Sequence, residues 1–107
     1  MNATNKWIDV GESAAIGENQ ALSVDLDGEP VVIVRCGATL YAVEDRCTHD
    51  GEPLSGGEIE DCELICPRYF ARFSLKTGEA LTPPAYEPVR TYRVKEENGR
   101  VLIETLP

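Results

Sequence analysis

The chain has 107 residues, with ten Lys and Arg against nineteen Asp and Glu and a formal net charge of −9 at pH 7; its length predicts a single domain. An acidic chain with no basic run is a poor partner for nucleic acid, because phosphate affinity comes mainly from Lys and Arg. The longest strictly apolar run, Val31-Val32-Ile33-Val34, is far too short for a membrane helix, and the segment from Met1 to Val10 holds no hydrophobic signal core, so a cytoplasmic protein with no membrane partner is expected.

In chain order, Trp7 alternates with Asp9 and reads as a core residue. Ser13-Ala14-Ala15-Ile16 is the one stretch suited to a helical turn, with Ser13 as its cap. Leu22-Ser23-Val24-Asp25-Leu26 alternates as a half-buried strand does. Asp27-Gly28 then predicts a hairpin, because both residues tolerate positive φ. Val31 to Val34 is a β-branched run fitted to a strand buried on both faces. Gly37 breaks it, and Thr39 to Val43 reads as the returning strand. Glu63-Leu64-Ile65 and Arg72-Phe73-Ser74-Leu75 are two further strands, and Lys76-Thr77-Gly78-Glu79 is a turn. Tyr92-Arg93-Val94 and Val101-Leu102-Ile103 flank Glu96-Glu97-Asn98-Gly99, where Asn-Gly between apolar runs marks another hairpin. Many short strands at close spacing predict an all-β sandwich or barrel.

The chain has four cysteines and one histidine. In a reducing compartment cysteines read as ligands or core residues before they read as disulfides. Cys36 and Cys62 are accordingly expected as ordinary thiols, one at a strand end and one in a turn. Cys47 and His49 stand two apart in a turn-rich segment, a spacing that lets both side chains reach one centre. Cys66-Pro67-Arg68-Tyr69 opens a second loop of the same kind. Two such loops, each at a hairpin end, can clamp a small inorganic centre from opposite sides.

The stretches Cys47-Thr48-His49 and Cys66-Pro67-Arg68-Tyr69-Phe70-Ala71-Arg72-Phe73, followed by Lys76-Thr77-Gly78 and Thr82-Pro83-Pro84, resemble the Rieske-type ferredoxins and the Rieske domains of related oxygenases. The resemblance runs from about Trp7 to Leu106. It implies an all-β Rieske fold over residues 1–107, an antiparallel base carrying a small cluster-binding subdomain at roughly 44–86. It also implies a [2Fe-2S] cluster, with Cys47 and Cys66 on one iron and His49 on the other. Imidazole ligands place such clusters at about −150 to +300 mV, against about −400 mV for plant-type clusters. The implied role is an electron-transfer protein rather than an enzyme. It would take single electrons from a flavoprotein ferredoxin reductase and pass them to a terminal oxygenase or reductase.

The family pattern has a second histidine and then a glycine at positions 69 and 70, where this chain has Tyr69 and Phe70. A phenol oxygen lies farther from the backbone than the nearer imidazole nitrogen, and a phenol ionises only near pH 10 in water, so Tyr69 as a metal ligand requires the metal to displace a proton. Phe70 adds a ring where the pattern has a residue free to take positive φ. High-potential members of the family carry an extra cysteine in each ligand loop; the matching positions here are Glu52 and Arg68. They also place hydroxyl donors near the cluster sulfurs, where this chain has Ala71 and Phe73. The resemblance is thus to the low-potential, soluble branch. Two other readings stand beside the ferredoxin. One is a Rieske-fold module without a cluster, an accessory or binding subunit or an engineered variant, in which Tyr69 and Phe70 fill the site. The other is a mononuclear zinc or iron site on Cys47, His49 and Cys66, with water or Tyr69 as fourth ligand.

Overall fold

A computed structural model describes residues 6–48 and 51–105. Its elements in chain order are β1 (Lys6–Glu12), a 3-10 turn (Ser13–Ala15), β2 (Ala21–Leu26), β3 (Glu29–Cys36), β4 (Thr39–Glu44), β5 (Ile59–Glu60), β6 (Glu63–Ile65), β7 (Arg72–Ser74), β8 (Thr91–Tyr92), β9 (Val94–Glu97) and β10 (Arg100–Thr105). The strands pair antiparallel in three sheets, ordered β1-β10-β9, β2-β3-β4-β8 and β5-β6-β7.

The apolar run in β3 explains how the sheets stack. Val31 to Val34 are all fully buried, and successive side chains of a strand point to opposite faces. Val31 and Ile33 pack with Leu40, Ala42, Val101 and Ile103 toward the β1-β10-β9 sheet. Val32 and Val34 pack with Val43, Leu54, Leu64, Phe73 and Leu75 toward the β5-β6-β7 sheet. The central sheet is therefore the middle of three layers, and a strand that lacks a polar face is the one that can occupy that position. Cys47 and Cys66 belong to the second of these cores.

The hairpin turns follow from local chemistry. Asp27 (φ 53°) with Gly28 (φ 88°) joins β2 to β3, and Asn98 (φ 52°) with Gly99 (φ 78°) joins β9 to β10, as a two-residue turn with both φ positive requires. The turn between β5 and β6 takes the same backbone with Asp61 (φ 53°) and Cys62 (φ 58°).

Four expectations need correction. The strand expected over 92–94 is split at Arg93: Tyr92 pairs with Ala42 in the central sheet and Val94 with Ile103 in the outer one. The chain changes sheets there, which a local apolar pattern does not report. Ser13 does not cap the short turn; Glu12 holds that position with no side-chain cap, and the Ser13 hydroxyl donates to the Glu96 carboxylate. Trp7 is half-buried rather than core, with the Lys95 ammonium 4.3 Å from its ring centroid. Cys36 and Cys62 are not separate thiols but are joined as a disulfide, with Cα atoms 5.7 Å apart. Their separation in sequence hides a proximity that only the stacking of two sheets creates.

Candidate metal centre

Two loops project from the β-sheet framework, one after β4 and one after β6. The first is anchored by Asp45, a buried carboxylate. Its Oδ1 accepts from the backbone N–H of Leu54 and of Ser55, both at 2.7 Å, and its Oδ2 accepts from the Ser23 hydroxyl at 3.1 Å. A buried charge is tolerable when so partnered. Cys47 follows two residues later, with no exposed surface. Its N–H donates to the Glu52 carbonyl at 2.7 Å, and its carbonyl accepts from the Gly51 N–H at 2.7 Å.

The second loop repeats that pattern. The Cys66 N–H donates to the Ala71 carbonyl at 2.7 Å, and the Cys66 carbonyl accepts from the Phe70 N–H at 2.9 Å. Each cysteine thus opens a turn closed by the same two backbone bonds, and Cys66 is likewise fully buried. The fourth residue after each cysteine takes positive φ: Gly51 at 79° in the first loop and Phe70 at 62° in the second. A bulky residue there is costly, yet Phe70 takes the positive φ for which the family pattern has a glycine. The loop keeps the conformation that a glycine would favour, because its two hydrogen bonds hold it.

The two loops face one another and are tied together. Arg68 bridges to Glu52 at 3.2 Å, at the two positions where high-potential members of the family were expected to carry an extra cysteine. The following segment is tied to the first loop and to the start of β7. The Thr48 hydroxyl donates to the Glu87 carbonyl at 2.7 Å, and the Arg72 N–H donates to the Thr82 hydroxyl at 2.9 Å. Between those anchors lie Pro83 and Pro84, joined by a cis peptide bond. Gly57 passes so close to the Ile65 carbonyl that a Cβ there would collide with it, which fixes the first loop against the strand leading into Cys66.

Cys47 and Cys66 are outside any disulfide and belong to the same buried core. His49 lies outside the described residues. Tyr69 is 52% exposed and Phe70 71% exposed, so their rings do not fill a space between the loops as the cluster-free reading expected; the Arg68 guanidinium lies 5.7 Å from the Tyr69 ring centroid. Ala71 and Phe73 are buried and supply no hydroxyl donor. Among the described residues no group of three or more His, Cys, Asp or Glu gathers as a metal cluster. Sequence reasoning missed Asp45 and Thr48 as anchors of the loops. The signal for Asp45 was an acidic residue directly after β4 and two before Cys47.

The family described as the Rieske [2Fe-2S] domain matches residues 6–93. The chain belongs to that family. It is 36% identical over 101 residues to the ferredoxin component of the naphthalene 1,2-dioxygenase system of Pseudomonas aeruginosa, covering 94% of this chain and 97% of the relative. Among solved structures it is similar to the ferredoxin of carbazole 1,9a-dioxygenase from Nocardioides aromaticivorans IC177, with a TM-score of 0.87 and 28% identity over 94% of this chain and 97% of that one. It is also similar to a chain in a complex of reduced oxygenase and oxidized ferredoxin in carbazole 1,9a-dioxygenase, with a TM-score of 0.86 and 28% identity over 91% of each.

The donors can be tested against a Rieske [2Fe-2S] cluster half by half. Two buried thiols on matching loops fit the iron that takes cysteines. The iron that takes imidazoles has one histidine available in the whole chain, His49, and a phenol at position 69.

Proposed function

We propose that this chain is a Rieske-type electron carrier. It takes single electrons from a flavoprotein ferredoxin reductase and delivers them to a terminal oxygenase or reductase, in the cytoplasm. The observation that carries this reading is the pair of buried cysteines, Cys47 and Cys66, set in two loops with the same hydrogen-bond pattern. Cys47 and Cys66 would hold one iron, and His49 and Tyr69 the other, within a cluster-binding subdomain at roughly 44–86. The bound cluster supplies one-electron chemistry without a change of bonds at the protein. The protein residues would keep that centre in place: Asp45 fixes the first loop, the Arg68–Glu52 pair joins the two loops, and Glu87 accepts from Thr48 of the first loop. A net charge of −9 steers the carrier toward basic faces on its partners, an attraction that weakens with salt.

The test is a visible spectrum with iron and sulfide content on protein reconstituted without oxygen. About two irons and two sulfides per chain, with a visible absorption band, are expected. Colourless protein free of iron would overturn the reading. Tyr69, exposed and a poor geometric substitute for histidine, favours a second reading: one metal ion on Cys47, His49 and Cys66. Elemental analysis separates the two, since that site holds one metal and no sulfide.

A further inference from the structure

Cys36 and Cys62 stand outside the proposed ligand set, and they form the one disulfide among the described residues, a side-chain cross-link between two layers of the fold. Cys36 ends β3 and pairs across its hairpin with Thr39 of β4. Cys62 sits in the turn between β5 and β6 and is joined to it. Both residues are only partly buried. The β5-β6-β7 sheet shares no strand pairing with the central sheet and meets it through apolar side chains, against which Cys62 itself packs. The Cys62 carbonyl also accepts from the Leu75 N–H at 3.0 Å, so the cysteine is fixed on both sides of its own small sheet. β6 ends at Ile65, the residue before Cys66. The bond therefore ties the layer that delivers a buried ligand cysteine to the layer beneath it.

We propose that Cys36–Cys62 is a reversible, redox-responsive staple that exchanges with a low-molecular-weight thiol of the glutathione class. Partial exposure lets a small thiolate reach the bond, and exposed disulfides are the reducible ones. In reduction, an external thiolate attacks one sulfur to form a mixed disulfide and releases the other cysteine as a thiolate, which takes up a proton. A second external thiolate then attacks the mixed disulfide, releases the remaining cysteine and leaves as the oxidised small disulfide. Two electrons and two protons pass to the protein. Oxidation runs the same steps in reverse. The bond closes a 26-residue separation in sequence, and its loss restores that chain entropy to the opened state. The β5-β6-β7 layer then opens more often, while the central sheet keeps its own pairing.

The test uses the full chain equilibrated with glutathione buffers of varied composition, then denatured and alkylated. In oxidised buffer two cysteines are labelled, with Cys36 and Cys62 spared, and as the buffer becomes reducing both become labelled in one step. Amide exchange of Ile65 and Leu75 is expected to be at least tenfold faster in the reduced protein, with Val32 of β3 changing less than twofold. The paired substitution of Cys36→Ser with Cys62→Ser should show the fast exchange with no response to glutathione. Labelling of all four cysteines in oxidised buffer, a bond that survives reduced glutathione, or equal exchange rates in the two states would each overturn the proposal. The oxidised and reduced proteins are compared at equal metal content, so loading of the metal centre does not enter the comparison.

Discussion

At the scale of single residues, the contrast between Gly51 and Phe70 isolates one variable. Both hold positive φ at the same step of matching loops, but only one is free of a Cβ. Holding a bulky residue there costs about 1–2 kcal/mol. The Phe70 ring is largely exposed, so little burial offsets that cost. Phe70→Gly is therefore expected to stabilise the chain by about 1 kcal/mol after the greater unfolded-state entropy of glycine is counted, seen as a Tm rise of about 4 °C. Unchanged or lowered stability would show that the ring earns its place through contacts. Position 69 has its own test. Tyr69→His together with Phe70→Gly restores the two-imidazole donor set, and a cluster-loaded protein should rise in potential by on the order of 100 mV. If metal content, spectrum and potential all stay as they were, position 69 does not act on the centre.

At the scale of elements, the first ligand loop depends on Asp45. That side chain serves two backbone N–H groups at the start of the segment that returns toward β5, and the Leu54 it holds is fully buried in the core shared with Cys47 and Cys66. Asp45→Ala leaves those donors without their partner, at about 1–3 kcal/mol for a buried group. A loss of about 3 kcal/mol in chemical denaturation is expected, and a smaller one for Asp45→Asn, which keeps an acceptor. Equal losses for the two substitutions would mean that the charge and not the hydrogen bonds holds the loop. The exposed Arg68–Glu52 pair is a far weaker tie, under about 1 kcal/mol by the measure of surface pairs.

At the scale of the whole molecule, acid sensitivity follows from two carboxylates that join distant parts of the chain. The Ser13 hydroxyl and then the Arg35 guanidinium hold Glu96 below the usual carboxylate range, and Arg100 does the same for Asp9. A folded-state pKa below the unfolded one means stability that is present above the unfolded value, near pH 4, and lost as pH falls through the folded value. Both groups are in contact with solvent, so the effect is screened and modest. Tm is expected to fall as pH drops below about 4, and Ser13→Ala with Arg100→Ala should flatten that part of the profile. An unaltered slope in the variant would place the acid sensitivity elsewhere. Above that range the trend has the opposite sign, because protonation relieves the self-repulsion of a chain with net charge −9.

The sequence by itself determined most of the strands, the hairpin turns at Asp27-Gly28 and Asn98-Gly99, and the choice of Cys47 and Cys66 as candidate ligands. Strand alternation, Asp-Gly and Asn-Gly turns and Cys-x-His with Cys-Pro are local signals, set by backbone preference and by side chains a few residues apart. Val31 to Val34 even announced a middle layer, since a strand apolar on both faces needs a partner on each. What only the tertiary structure decided are the contacts made by stacking: the meeting of Cys36 with Cys62, the Ser13–Glu96 bond in place of a helix cap, the change of sheet at Arg93, and the anchoring of the first loop by Asp45. The Cys36–Cys62 and Ser13–Glu96 contacts join residues far apart in the chain, brought together by apolar packing of the layers, while Asp45 meets its N–H partners only once the loop has folded back. Packing is non-directional and carries no local sequence pattern for those pairs. The missing second histidine was legible at once, but not that the loop would keep its shape around Phe70, because that depends on backbone hydrogen bonds closed by the fold rather than on the preference of one residue.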